Sequence, residues 1–269
     1  PRCHEGFFRY LIVRASHETG KLLVCLVTTE GHRDAVEALV DELLRRHPAI
    51  MSVYWGVNRK VADVATPDEL FLVRGGPYLE DRIGPLTLQL HPLNFLQPTP
   101  AQAERLYTTL GEWTSSLPDG VAWYLYCGIG LVGFYLAPKY RTVYGIDIEP
   151  RNLELAQLNA QRNRITNIQF HLGRAEELLA NKRFWLTEAK PEVVVVDPPR
   201  SGLHPRVVAA LLAARPKQLV YVSCNAQALA RDLTLLLNSF PRYRLRQAMA
   251  FDLFPHTHHL EVLTLLERV

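Results

Sequence analysis

The sequence contains little cysteine, and its cysteines are widely spaced. Four occur in 269 residues, at positions 3, 25, 127 and 224. No two form the CxxC pair typical of zinc and iron–sulfur sites. A chain of this length does not need disulfides to hold a fold together. We therefore expect reduced thiols, no bound metal and a cytoplasmic protein.

Long apolar runs and a strong charge imbalance are also missing. No run approaches the roughly 18 apolar residues needed to span a bilayer, and no signal-peptide pattern opens the sequence. Lys and Arg number 30 against 27 Asp and Glu, a net charge of +3, and 48% of the residues are apolar. This composition excludes intrinsic disorder and predicts a globular protein, expected to be a monomer without membrane contact. The arginine clusters near residues 45, 59 and 244 are interpreted as solvated surface.

The sequence pattern predicts three parts. Residues 1–95 form a small α+β domain, residues 96–119 a linker helix, and residues 120–269 a separate α/β domain. In the first part, Glu69–Arg74 and Leu86–Leu90 are predicted to form a hairpin. In the linker, Thr99 and Gln102 predict a capping box at the start of the helix.

From residue 120 onward, short apolar strands alternate with helices. This alternation predicts a doubly wound, mostly parallel sheet with helices on both faces. Ligands of such sheets bind at the carboxyl ends of the strands. The predicted strand ends carry a glycine loop after residue 126, Asp147, a segment beginning at Asp197, and Cys224. We therefore expect these groups to meet at one edge of the sheet.

The glycine loop indicates a nucleotide-type cofactor. Gly128, Gly130 and Gly133 follow a predicted strand in GxGxxG spacing, and Asp147 ends the next strand. Glycines allow a sharp turn and close approach of a ligand to the backbone, and the Asp could accept hydrogen bonds from both ribose hydroxyls. The pattern does not separate a nicotinamide dinucleotide from S-adenosylmethionine, and a tight turn without a ligand is the alternative.

Three further motifs carry reactive groups. The segment Asp197-Pro-Pro-Arg200 predicts a rigid loop that presents a carboxylate. Cys224, in Ser-Cys-Asn, precedes a predicted helix whose positive end favours a thiolate; a buried structural cysteine is the alternative. Glu261 opens an apolar strand after three histidines, where a general base, a capping salt bridge and a metal site are all conceivable.

Together these motifs resemble the RNA uracil-5-methyltransferases. The resemblance rests on Asn94–Gln97, Tyr126–Gly130, Asp197–Gly202, Ser223–Asn225 and Phe254–Glu261, in that order. It implies a Rossmann-like methyltransferase domain that uses S-adenosylmethionine to make 5-methyluridine in 23S rRNA or tRNA, with 23S rRNA preferred. It places the nucleophile at Cys224 and the base at Glu261. The cofactor contacts implied by the resemblance, or predicted from the glycine loop, are Gln97, Tyr126, Gly128, Gly130, Asp147 and Asp197.

The sequence departs from the family pattern in three places. Leu131 stands where several members have Asn, and Asp147 stands where Glu is common. Many members also carry a TRAM β-barrel, and some an iron–sulfur cluster, and neither pattern is visible in these residues. A nicotinamide-dependent oxidoreductase is the first alternative, but it leaves Cys224 and Glu261 without a use. A non-catalytic RNA-binding module is the second. In the methyltransferase interpretation, the α+β domain of residues 1–95 is expected to be the RNA-binding part.

Overall fold

The computed structural model describes residues 6–62, 64–181, 185, 189–240 and 242–269. Cys3, expected to be a free thiol, and Lys182, the predicted end of a helix, lie outside these residues. Contacts divide the chain into two compact units, Pro1–Asn94 and Phe95–Val269. Among the described residues, no helix has both the length and the hydropathy required to cross a bilayer.

The first unit is a four-stranded mixed sheet with one helix and a separate hairpin. The strand order is β1-β2-β3-β4. The pair β2–β3 is parallel, and α1 is the connection between them. Apolar residues of α1 pack on the sheet through Val36 and Val40, against Val24, Val53 and Trp55. The elements are β1 (Phe8–Ala15), β2 (Leu22–Thr28), α1 (Arg33–Arg46), β3 (Ile50–Val57), β4 (Glu69–Gly75), β5 (Leu79–Ile83) and β6 (Leu86–Leu90).

The predicted hairpin between Glu69–Arg74 and Leu86–Leu90 is wrong. Strand β4 pairs with β3, whereas β6 pairs with β5. Strand β5 is not predicted from the sequence, because two of its five residues are acidic. One of these, Asp81, is buried and accepts hydrogen bonds from the Ser16 hydroxyl and the Glu18 amide. A buried, satisfied carboxylate therefore occupies a position that hydrophobic patterning does not assign to a strand.

The second unit is built on a seven-stranded sheet, confirming the predicted mostly parallel α/β fold. The sheet order is β12-β13-β11-β10-β7-β8-β9. The five strands from β11 to β9 are parallel, and β13 runs antiparallel to both of its neighbours. The elements are α2 (Pro100–Trp113), β7 (Leu117–Leu125), α3 (Leu131–Leu136), β8 (Tyr140–Asp147), α4 (Pro150–Arg162), β9 (Ile168–Leu172), α5 (Ala175–Leu178), β10 (Val193–Val196), α6 (Pro205–Ala214), β11 (Gln218–Ser223), α7 (Ala226–Leu237), β12 (Tyr243–Phe251) and β13 (Glu261–Arg268).

Complete burial of the central strand explains its composition. All four valines of β10 are inaccessible to solvent, as expected for a parallel strand covered on both faces. Trp123 and Tyr221, on the two strands beside β10, are the largest fully buried side chains of the core. The Trp123 indole donates a hydrogen bond to the Ala189 carbonyl, which satisfies its one polar atom.

Helix α2 belongs to the second unit, and its predicted capping box is wrong. Thr99 is the N-cap residue, but its side chain makes no capping hydrogen bond. Its hydroxyl donates instead to the Leu253 carbonyl, 2.9 Å away, just before β13. Pro100 at the first helical turn removes one N–H that would otherwise need a partner. The threonine therefore attaches the start of α2 to the segment that leads into β13.

Candidate active site

The sheet topology brings the predicted site residues to one edge. Strands β7, β8, β10 and β11 end there, and β13 begins there because it runs antiparallel to β11, with Ser223 opposite Val262. A cavity of about 1150 Å³ opens at this edge. Of the eight predicted site residues, seven line it: Gln97, Tyr126, Gly128, Asp147, Asp197, Cys224 and Glu261.

Gly128 forms part of the cavity wall through its backbone. It adopts a positive φ of 51°, and a Cβ built there would meet nothing within 4 Å. Its N–H donates to Asp147 Oδ2 at 2.7 Å, which joins the ends of β7 and β8. The backbone at this point is therefore open to a ligand, as the glycine loop predicted.

Gly130 is not among the residues that line the cavity. It has a φ of 87° and begins α3, and an added Cβ would lie 3.0 Å from Phe134 and 3.1 Å from Phe170. Gly130 therefore does not face the cavity, where the predicted cofactor contact would have to be made. The glycine is required by the turn and by the close packing behind the loop.

Asp147 is held rigidly before any ligand is bound. Its Oδ1 accepts from the Glu149 N–H at 2.9 Å and from the Asn152 amide at 3.1 Å, while Oδ2 accepts from Gly128. A carboxylate has about four acceptor positions, so these bonds leave one. One ribose hydroxyl can bind there directly, and a second would have to replace an existing donor such as Asn152.

Gln97 is an unsatisfied acceptor in the cavity wall. The residue is only 5% exposed, and its Oε1 has no hydrogen-bond partner among the described residues. Leaving a buried acceptor without a donor costs about 1–3 kcal/mol. Gln97 therefore fits a ligand that brings a polar hydrogen to this point, and with Gly128 and Asp147 it satisfies the requirements of an adenosine-type cofactor.

We expect Asp147→Ala to weaken binding of S-adenosylhomocysteine by roughly 1.5–3 kcal/mol, the range for a hydrogen bond to a charged group. The reason is the loss of the ribose acceptor together with the bond that fixes the Gly128 loop. Isothermal titration calorimetry measures the change, with Glu149→Ala as the control, since Glu149 is an exposed carboxylate two residues away that does not line the cavity. Equal affinities for the two variants would refute the placement of the ribose.

Two further carboxyl groups line the cavity. Burial raises the pKa of Asp197 to about 7. Glu261 is 3% exposed, and burial, with a smaller contribution from the nearby Asp197, raises its pKa to about 8. Both acids therefore hold a proton more tightly than in water, which makes Glu261 a stronger base than an ordinary carboxylate once it is ionised.

These shifts predict a loss of stability with rising pH. The folded pKa of Glu261 lies above its value in the unfolded chain, so the folded state binds this proton more tightly. The resulting stabilisation is complete below pH 4.5 and is lost as the pH rises through about 8. We expect Glu261→Gln to raise the free energy of unfolding, relative to the unmodified protein, by about 4–5 kcal/mol more at pH 9 than at pH 4, given about 1.4 kcal/mol per pKa unit. Urea unfolding at both pH values tests this, and a pH-independent difference would contradict it.

The expected activation of Cys224 by the following helix is not observed. Its pKa is raised, first by burial and then by the charges of Glu261 and Asp197. The N-terminus of α7 is already occupied, because the Asn225 side chain accepts from the Gln227 and Ala228 N–H groups. Arg200 is the neighbour whose charge favours the thiolate.

The mouth of the cavity carries a basic and aromatic group that sequence analysis did not assign. Arg200 Nη2 lies 3.4 Å from His259 Nε2, and the His259 ring packs edge-on to Phe254. All three line the cavity. Within the described part of the chain, no group of three His, Cys, Asp or Glu side chains could hold a metal ion. Of the three histidines before Glu261, His259 lines the cavity, beside Arg200.

Two buried tyrosines of the cavity wall were also missed. Tyr107 on α2 and Tyr124 on β7 both line the cavity, and burial, with a smaller contribution from the charge of Asp197, raises the pKa of each. Their positions in apolar stretches predict core residues, which they also are. No sequence signal distinguishes such a tyrosine from an ordinary core residue, because the pattern records apolar spacing and not what lies beyond the hydroxyl.

Comparison with known proteins identifies relatives over nearly the whole chain. An uncharacterized RNA methyltransferase of Oceanobacillus iheyensis is 34% identical over 97% of this chain. One of Porphyromonas gingivalis is 36% identical over 99%. The matches cover 56% and 57% of those proteins, so the chain spans somewhat more than half of the length of the curated relatives it matches.

Solved structures show the same architecture. The Pyrococcus abyssi tRNA (uracil-54, C5)-methyltransferase, in complex with S-adenosyl-L-homocysteine, superposes with a TM-score of 0.78 at 30% identity, over 98% of this chain and 61% of its own. The Methanocaldococcus jannaschii tRNA m1G37 methyltransferase shares the fold at 12% identity and a TM-score of 0.58, over 99% of this chain and 74% of its own. Residues 89–269 match the model of the tRNA (uracil-5-)-methyltransferase family. The chain therefore belongs to the tRNA (uracil-5-)-methyltransferase family.

Proposed function

We propose that this chain transfers a methyl group from S-adenosylmethionine to C5 of a uridine in RNA. The observation that carries the proposal is that one cavity is lined by Cys224, Glu261, Gly128 and Asp147. Family membership and the structure of the Pyrococcus abyssi relative with S-adenosyl-L-homocysteine support it. A nicotinamide-dependent oxidoreductase has no comparable support.

Gln97, Gly128 and Asp147 are proposed to hold the adenosine part of the cofactor, with Tyr126 and Asp197 completing the wall. Their fit rests on the unsatisfied Gln97 oxygen, the open space above Gly128 and the free acceptor position of Asp147. S-adenosylmethionine, when bound, supplies an electrophilic methyl group.

Cys224 is proposed to start the reaction by adding to uracil C6. The thiol gives its proton to water, helped by the positive charge of Arg200, and the Sγ–C6 bond forms. The electron pair of the C5–C6 double bond moves toward C5 and the C4 oxygen, which gives C5 the nucleophilic character that free uracil lacks. C5 then displaces the methyl group from the sulfonium of S-adenosylmethionine, and the electron pair of the broken S–CH3 bond stays on that sulfur. Covalent addition thus divides one difficult displacement into accessible steps.

Glu261 is proposed to complete the reaction as the general base. It removes the proton from C5, the electron pair of that bond restores the C5–C6 double bond, and the Sγ–C6 bond breaks to release the Cys224 thiolate. The raised pKa of Glu261, about 8, suits proton transfer near neutral pH. It lies at the start of β13, beside the end of β11, and lines the same cavity as Cys224.

The RNA partner is proposed to bind through the mouth of the cavity. A uridine in folded RNA must leave its stack to enter, which costs a few kcal/mol. Arg200 has no acidic partner among the described residues, whereas in the first unit Arg45 and Arg46 both pair with Glu42, and Arg59 pairs with Glu30. RNA binding by the first unit stays a proposal, and these three arginines already pair with carboxylates.

Methyl transfer to defined RNAs tests this function. The protein is incubated with methyl-labelled S-adenosylmethionine and unmodified transcripts of 23S rRNA and of tRNAs, and digested nucleosides are identified by mass spectrometry. We expect label in 5-methyluridine, with 23S rRNA remaining the predicted substrate. Label in 5-methyluridine of tRNA alone would show that the substrate is tRNA and would leave the proposed reaction unchanged. Absence of 5-methyluridine from every transcript would refute the function.

A further inference from the structure

The loop between β10 and α6 is fastened to helix α7. This loop, residues 197–203, carries Asp197 and Arg200 into the cavity, whereas α7 directly follows Cys224 and Asn225. Two separate stretches of chain therefore supply the reacting thiol and the groups around it. Their relative position is not fixed by β-sheet pairing, since both lie beyond the strand ends.

Three hydrogen bonds connect the loop to the helix. The Asn225 amide donates to the Arg200 carbonyl at 2.9 Å, and Arg231 Nη2 donates to the Ser201 carbonyl at 2.8 Å. The Leu203 N–H donates to Asp232 Oδ2 at 2.7 Å. The loop backbone is thus held at three of four consecutive residues.

Asp232 is the centre of this arrangement. It is 1% exposed, its Oδ2 also accepts from the Tyr221 hydroxyl at 2.8 Å, and its Oδ1 accepts from Arg231 Nε at 2.9 Å and Nη2 at 2.7 Å. A buried carboxylate is tolerated when it is paired and fully hydrogen-bonded. Arg231 provides the opposite charge and the bonds to Oδ1, while Tyr221 and Leu203 provide the bonds to Oδ2. Arg231 Nη2 also donates to the Ser201 carbonyl.

Gly202 is the point where the loop lies against this pair. It has a φ of 80°, and a Cβ built there would be 2.4 Å from Arg231 Nη2 and 2.5 Å from Asp232 Oδ2. No other residue type fits without moving either the loop or the ion pair. Glycine at position 202 thus leaves the space that the Arg231–Asp232 pair occupies.

We propose that Arg231 and Asp232 are positioning residues that hold the 197–203 loop, and thereby keep Asp197 and Arg200 in place relative to Cys224. The inference rests on the proposed function, because its consequence is a catalytic one. Neither residue needs to touch the reacting atoms. A pair that only stabilised the fold would not need a guanidinium that bonds to both the carboxylate and the loop backbone.

The test is Arg231→Lys, compared with Arg246→Lys. Lys keeps the positive charge beside Asp232 but lacks the planar fork that bonds two acceptors at once. Arg246 pairs with Glu267 at 2.9 Å on the edge strand β12 and takes no part in the cavity wall. We expect Arg231→Lys to lower kcat about 10-fold at saturating RNA and S-adenosylmethionine, with KM for S-adenosylmethionine changed less than about 3-fold and Tm close to that of the control. Hydrogen exchange at Leu203 should become faster, whereas the β10 amides should stay protected.

Gly202→Ala disturbs the same contact from the loop side. If both changes act through one arrangement, the double variant should lose no more kcat than the worse single variant, since coupled sites are not additive. Wild-type kcat in Arg231→Lys, or losses that multiply in the double variant, would overturn the proposal. An inactive unmodified protein would instead refute the proposed function, so the two failures are distinguishable. If Gly202→Ala does not fold, Arg231→Lys and its exchange measurement still decide.

Discussion

Cys224→Ala should abolish methyl transfer, lowering the rate by at least about 10³-fold, while S-adenosylhomocysteine binds within a factor of two of the unmodified protein. Uracil C5 is too weak a nucleophile to take the methyl group unless a thiolate first adds at C6, so no other group of the site replaces the sulfur. The cofactor contacts proposed for Gln97, Gly128 and Asp147 do not involve the thiol. Single-turnover formation of 5-methyluridine and calorimetry measure the two quantities.

Cys25→Ala is the matched control for this experiment. Cys25 is a buried thiol of the first unit, on β2, and it does not line the cavity. Its loss should cost some stability without changing the methylation rate of the folded protein. Appreciable 5-methyluridine made by Cys224→Ala would remove Cys224 from the mechanism. A parallel loss in Cys25→Ala would show a general effect on folding.

Glu261→Gln should trap the protein on its RNA. Addition of Cys224 and transfer of the methyl group both precede removal of the C5 proton, so both steps should still occur. Elimination of the sulfur needs that proton to leave, and Gln cannot accept it. A covalent protein–RNA adduct should therefore accumulate in the presence of S-adenosylmethionine and survive denaturing electrophoresis with labelled RNA. After burial, the negative charge of Glu261 is the next cause of the raised pKa of Cys224. Glu261→Gln removes that negative charge, so formation of the thiolate and its addition to C6 should not be hindered.

Two controls make this result specific. Glu267→Gln changes the same residue type on the same strand, where Glu267 contacts Arg246 and Gln218 away from the cavity, and it should turn over without an adduct. The double variant Cys224→Ala with Glu261→Gln should form no adduct, because the bond is to the sulfur. Normal turnover by Glu261→Gln would refute the role of Glu261 as the base and would not affect the proposed role of Cys224. An adduct in the double variant would place the covalent bond elsewhere.

Much of the second unit could be predicted from local patterns. The predicted alternation of apolar strands and helices is observed from β7 to α7. The reason is that a parallel sheet covered by helices requires continuous apolar strands, so β10 consists of valine alone. Chain order alone then predicts that Asp147, Asp197 and Cys224 lie at one edge of the sheet.

Local patterns failed where the surroundings of a residue in the folded protein decided the outcome. Thr99 had the right spacing for a capping box, but its hydroxyl bonds to Leu253, a residue far along the chain. Cys224 precedes a helix, but Asn225 occupies the helix terminus, and burial together with two carboxyl groups raises the pKa of the thiol. Gly130 belongs to the glycine loop, but it packs behind the loop and does not line the cavity.

The sequence by itself determined the fold class, the family motifs and the chemical groups that the site would contain, because these follow from residue type and short-range spacing. The tertiary structure decided how the groups are arranged. Insertion of β13 between β11 and β12 in antiparallel orientation is what brings Glu261 to the same edge as Cys224. Strand order and direction depend on pairing between distant segments, and the pKa values depend on the burial that this pairing creates. No local pattern encodes either quantity.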